Sequence, residues 1–278
     1  MWQMLQGYRA RVGLSLFLVV AEAAGAVVVP FVLGLALTDY ADGSNRGLIL
    51  LAATGLVTMV FATVRRLHDV RLYSQIYQRA GETAFAQEAG LSEKTARLNM
   101  LREVVDFLEH SMPALVGSIS GYIGTLVFLA LLSVPVLIGA LVMSALIVLI
   151  YAASSRRTVA FNRGYNDEYE RQVDVLGRND STLTRRHIGL MNSWTIKLSD
   201  VDTINFALSL TLTVALQVFA IVSSTRQGMD EGTLLSVVLY VFEVSAAASY
   251  LPASWQEYLR LRDILQRLNN QTSVAATS

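Results

Sequence analysis

Apolar and polar positions separate along this chain into long blocks rather than alternating. Stretches nearly free of charge run over residues 12–38, 47–64, 112–155, 203–225 and 232–256. A membrane-crossing helix needs about 20 predominantly apolar residues. The 44-residue stretch from Met112 to Ser155 therefore holds two, divided at Ser133-Val134-Pro135 because proline cannot continue a helix without losing a hydrogen bond. The pattern predicts an all-α membrane protein with six transmembrane helices, at about 12–38, 47–64, 113–132, 135–154, 204–223 and 232–251. Short connections, one with an Asp42-Gly43 turn signal, join them on one side.

Two polar segments, 65–111 and 155–203, lie on the other side and carry helical periodicity of their own. Leu98, Leu101, Val105 and Leu108 form one apolar stripe. Glu93–Arg97, Arg102–Asp106 and Asp167–Arg171 are spaced as i,i+4 ion pairs on solvated helix faces. Leu67, Leu72 and Ile76 predict that the second span continues past Arg65 and Arg66. Each segment reads as a helical hairpin, bending at 81–92, with Ser92 as a cap, and at 177–186. The stripes serve packing. The bends either do no more than turn the chain or dock a partner, at Gly90 in the first and at Arg178, Arg185, Arg186 and His187 in the second.

Charge sets the orientation. Of 22 Lys and Arg residues, 20 fall on the hairpin side and only Arg46 and Arg226 on the other. Basic residues near a membrane are retained in the cytoplasm, so both termini and both hairpins are expected there. An N-terminal signal peptide is the rival reading of residues 9–23, but the apolar stretch continues to Leu37, beyond a typical signal core. The 22 acidic residues cancel the basic ones, so there is no basic footprint for nucleic acid. Zero cysteines exclude thiolate chemistry, and three scattered histidines form no metal cluster. No nucleophile–base pair and no G-x-x-x-x-G-K-[ST] phosphate loop occur, so no cofactor is expected and an enzyme is a poor reading.

Two acids, Glu22 and Glu243, lie within the predicted spans, each expected near the bilayer midplane, and no Lys or Arg falls inside any span to neutralise them. An acidic residue there costs about 2.5–3.5 kcal/mol on insertion scales and usually faces a cavity or a partner. They are candidates to bind a proton or substrate, against the plainer reading of protonated carboxyls satisfied by neighbouring helices. Gln217, Tyr122 and Tyr240 are polar at similar depths, and serve either as substrate contacts or as interhelical hydrogen-bonding groups.

The run from Gly90-Leu91-Ser92 through Ala96-Arg97-Leu98-Asn99 to Val105-Asp106-Phe107-Leu108, together with Gly232-Thr233-Leu234-Leu235 and Leu259-Arg260-Leu261-Arg262-Asp263-Ile264-Leu265, resembles the membrane domain of type IV ABC exporters. The resemblance covers about 1–268, leaving 269–278 as a disordered tail. It implies a homodimer in a bacterial inner membrane, both subunits lining one cavity. Helices 1 and 6 near that cavity would bring Glu22 and Glu243 together. Since an ATPase domain is expected to be missing, the leading expectation is a transporter moving a small or cationic substrate by alternating access, with ion-gradient drive favoured. A permease subunit completed by a separate ATPase subunit docking at 81–92 and 177–186 is the second. A non-transporting scaffold, whose basic bend binds a cytosolic partner or anionic lipid, is the third.

Overall fold

The structure, a computed structural model, describes residues 7–85, 91–178 and 180–250. Helix α1 (Arg9–Ala41) is followed by α2 (Arg46–Phe85), α3 (Leu91–Asp106), a π-helical turn (Phe107–Ser111) and α4 (Met112–Leu132). Then come α5 (Val134–Glu170), the short α6 (Gln172–Gly177) and α7 (Ser181–Arg226). Helix α8 (Glu231–Tyr250) completes the described chain, which contains no strand. Six of these helical segments are long and apolar enough to cross a membrane. Their outer surfaces carry exposed apolar side chains such as Ile49, Leu131 and Phe206, as contact with lipid requires. The chain is an all-α membrane protein.

Several helices are much longer than a bilayer is thick. The 46 residues of α7 extend roughly 70 Å at 1.5 Å per residue, against about 30 Å of hydrocarbon. The apolar blocks therefore continue without a break into the polar hairpin arms. Helix α4 ends at Leu132, Ser133 is extended, and Pro135 sits in the first turn of α5, where its missing N–H has no intrahelical partner to lose. Gly43, with φ +78°, makes the α1–α2 turn in a backbone region that other residues resist. Helix α3 begins at Leu91, so Ser92 lies inside its first turn and is not its cap. Gly90 and the 251–278 segment, with its amphipathic run and tail, lie outside the described residues.

Two cores divide the molecule. The larger joins α1, α4, α5, α7 and α8 through Val27, Leu129, Ala140, Ile147, Leu216 and Val241. The smaller sits at the hairpin end, where Leu72, Tyr73 and Ile76 of α2 meet Val104, Val105 and Leu108. Val105 and Leu108 come from the stripe the periodicity marks, and Leu72 and Ile76 from the expected continuation of the second span, whereas Leu67 is exposed. Two of the spaced ion pairs are replaced by others: Asp106 lies 3.2 Å from His110, and Arg171 lies 3.6 Å from Glu168 rather than on Asp167. Arg171 is the C-cap of α5, where the i,i+4 helical spacing to Asp167 ends and Glu168 lies at i,i+3.

Candidate functional site

Two cavities lie side by side, the first bounded by α1, α2, the π-helical turn and α4 and the second by α1, α4 and α8. The first, about 790 Å³, is lined by Glu22, Arg65, Arg66, Asp69, Glu109 and His110. The second, about 420 Å³, is lined by Glu243, Thr125 and Tyr122 among small residues such as Gly121, Ala246 and Ala247. Ala23, Ala26, Gly117, Ser118 and Tyr250 line both, so the two are neighbouring chambers of one cleft. Pro30, which has no N–H to return to the Ala26 carbonyl one turn earlier, follows one turn after this shared wall on α1.

Glu243 projects from α8 into the smaller chamber, where the Thr125 hydroxyl donates to its Oε2 at 2.9 Å. Among the described residues no Lys, Arg or His forms an ion pair with it. It lies 12 residues into α8, roughly 18 Å from that helix's start and close to the middle of a bilayer.

Glu22 differs from its sequence expectation in having a basic partner: Arg65 Nε donates to Glu22 Oε2 at 2.5 Å, and Arg65 Nη1 reaches Asp69 Oδ2 at 3.3 Å. Along the antiparallel α1–α8 pair, where Ser236 meets Pro30 and Tyr240 meets Val27, Glu22 lies nearly level with Glu243. Arg65 lies just beyond the expected end of the second span, outside the apolar blocks. The signal was present in the turn. Glu22 lies 21 residues before Gly43 and Arg65 22 after it, and positions equidistant from the turn of an antiparallel helix pair lie level. The same symmetry brings Arg11 to Gln75, 32 residues to either side of Gly43, with Nη1 donating to Oε1 at 2.6 Å.

The other polar candidates divide. Tyr122 lines the Glu243 chamber. Tyr240 is fully buried; its hydroxyl donates to the Val27 carbonyl at 2.8 Å and its ring stacks on Phe128, so it joins α8 to α1 and has no donor left for a ligand. Gln217 lines neither chamber, and its buried Nε2 has no hydrogen-bond partner in the protein. His187 is buried, with Nδ1 2.7 Å from Glu168 Oε1, and holds α5 against α7. It is therefore turned away from any surface partner. Arg178, Arg185 and Arg186 remain exposed at the hairpin tip, beside the 80% exposed Val173 of α6.

At the opposite, short-turn end α1 and α8 close against each other. Gly34 of α1 and Gly232 of α8 bring their backbones into direct contact, and a Cβ on either would collide with the other's carbonyl. Asp230 caps α8, accepting from Thr233 N at 3.0 Å and Oγ1 at 2.6 Å, and also accepts from Thr38 Oγ1 of α1 at 2.7 Å. The Thr233 and Thr38 hydrogen bonds to its ionised form hold the Asp230 carboxyl down at about 2.

Among the described residues no group of His, Cys, Asp and Glu could hold a metal ion. No curated protein matches the sequence. A family model described as the ABC transporter transmembrane region matches residues 1–232, and the chain, with its six helices long and apolar enough to cross a membrane, belongs to that family.

Proposed function

We propose that the chain is the membrane-spanning region of an alternating-access transporter that takes a small, positively charged substrate at Glu243, with a proton gradient as its drive. Glu243 carries the reading: a carboxylate near mid-bilayer, in a chamber of about 420 Å³, with a threonine hydroxyl and no cation as its partner. A cationic group or a proton satisfies it, and exchange of one for the other at a single carboxylate couples their movements. The seal at Gly34, Gly232 and Asp230, set against charged residues at the hairpin end, supports a resting state open toward the hairpins. The 20-to-2 division of basic residues supports placing the hairpins and both termini in the cytoplasm of a bacterial inner membrane. The apolar outer faces and the family support a homodimer.

The test is uptake of a fluorescent cation such as ethidium into liposomes holding the purified full chain. A pH gradient alone should drive it. Glu243→Gln should lower the rate about tenfold or more, since a hydrogen bond to a charged group contributes about 1.5–3 kcal/mol. No gradient-driven uptake in the native protein would overturn the reading.

A second reading, docking of a separate ATPase subunit, is favoured by the hairpin tip, where exposed Val173 and Leu176 stand beside Arg178, Arg185 and Arg186. Uptake only with that subunit and ATP present would establish it instead.

A further inference from the structure

The larger chamber contains an acid that the ion pairs of the cleft leave over. Glu22 and Asp69 share Arg65, whereas Glu109 is half-buried and, among the described residues, forms no ion pair with a Lys, Arg or His. His110 beside it is paired with Asp106 instead. Among the described lining residues, the two chambers together place carboxylates at Glu22, Asp69, Glu109 and Glu243 against guanidiniums at Arg65 and Arg66. With His110 neutral, acids exceed bases by two, and the two acids without an ion pair are Glu109 and Glu243.

The backbone puts these two at opposite ends of the cleft. Glu109 stands in the π-helical turn that leads into α4. Pro113 has no N–H for the Glu109 carbonyl, and Met112 N–H bonds to Phe107 O, which widens the turn. Widened turns of this kind are frequent at functional sites. Glu243 marks the other end through its hydrogen bond to Thr125, 16 residues after Glu109 on the same helical run, roughly 24 Å along the axis. Between them the wall common to both chambers is made of Ala23, Ala26, Gly117 and Ser118. Such small side chains leave width for an alkyl chain, and Glu22 beside them is already held by Arg65.

We propose that the cleft takes a linear dication, an alkyl chain with an ammonium group at each end, bound at Glu243 by one end and at Glu109 by the other. The proposal rests on the cation site at Glu243 and names the substrate class that both chambers fit together. Joining two cations by a chain makes the second contact intramolecular, so one dication binds more tightly than two separate monocations.

Isothermal titration calorimetry of the purified full chain, at one pH and ionic strength, compares three permanent cations: tetramethylammonium, hexamethonium and the longer decamethonium. Decamethonium should bind at least tenfold more tightly than tetramethylammonium, with hexamethonium between them. Glu109→Gln should lower decamethonium affinity about tenfold, the scale of one charge–charge contact in a partly wet site, and so remove most of its advantage. Glu109→Asp, which keeps the charge, should keep most of that advantage. Glu243→Gln should weaken binding of all three ions. Equal affinities for decamethonium and tetramethylammonium, or an advantage unchanged in Glu109→Gln, overturns the proposal and leaves the Glu243 reading standing. Failure of the transport reading shows separately, as absent gradient-driven ethidium uptake in a protein that still prefers decamethonium.

Discussion

The Arg65 guanidinium on α2 holds two carboxylates on different helices: Glu22 of α1 at 2.5 Å and Asp69, one turn along α2, at 3.3 Å. The arrangement is asymmetric in its consequences. Glu22→Gln leaves Arg65 paired with Asp69, and should cost about 1 kcal/mol. Arg65→Met strands both acids and should cost about 3 kcal/mol, because removing one partner of a partly buried pair leaves uncompensated charge. Thermal unfolding of the purified variants measures the difference. The double variant should be less damaging than the sum of the two, and additive losses would mean that the pair is not coupled.

Thr125 offers a milder test of the Glu243 chamber than removal of the acid. Thr125→Val keeps the shape and deletes the donor to Oε2. At about 0.5–1.5 kcal/mol for one hydrogen bond, cation affinity should change about two- to tenfold, with stability near native. A titration of the detergent-purified protein with the fluorescent cation reads the change directly.

The absence of cysteine makes the short-turn seal easy to probe. Ser236 is 1% exposed, and its hydroxyl donates to the Pro30 carbonyl of α1 at 2.8 Å. In a Ser236→Cys background, a membrane-impermeant maleimide should label slowly. Adding Gly232→Val, which drives a side chain into the Gly34 backbone, should raise the labelling rate at least tenfold. An unchanged rate would mean that α1 and α8 do not form the seal.

Asp230 provides a pH test of the same junction. Its carboxyl is held at about 2 when folded, below its ordinary 3.8. The unfolded chain therefore binds the proton more readily, and stability from this group is complete above about pH 4 and lost as pH falls through about 2. Asp230→Ala should remove that part of the acid dependence. At neutral pH it should cost about 1 kcal/mol through loss of the α8 cap, measured by the shift in Tm.

At the second hairpin, burial divides residues that are neighbours in sequence. Glu168→Ala leaves His187 buried beside α5 without its partner and should destabilise the protein by about 1–3 kcal/mol. Replacing Arg178, Arg185 and Arg186 together should change stability by no more than about 0.5 kcal/mol per site, since all three are exposed. Denaturant titration of the two variants makes the comparison.

The spans were legible because lipid imposes the same requirement on about 20 consecutive residues, a signal too long to hide. The arms of the hairpins were legible from their apolar stripe, which reappears as the Leu72, Val105 and Leu108 core. His187 read like its arginine neighbours because sequence proximity says nothing about which side of α7 faces α5. Tyr240 read as a possible substrate contact because an aromatic hydroxyl looks the same in sequence whether it faces a cavity or the Val27 carbonyl.

By itself, then, the sequence determined an all-α membrane chain of six spans, with two polar hairpins and two acids within the apolar blocks. Those properties depend on solvent preference and helical period, which are local. Only the tertiary structure decided that Glu22 has Arg65 while Glu243 has a threonine. Ion pairs and cavities depend on rotation and axial register between helices distant in sequence. A difference of one residue in register moves a side chain about 100° around its helix, enough to turn a partnered carboxylate into an open one.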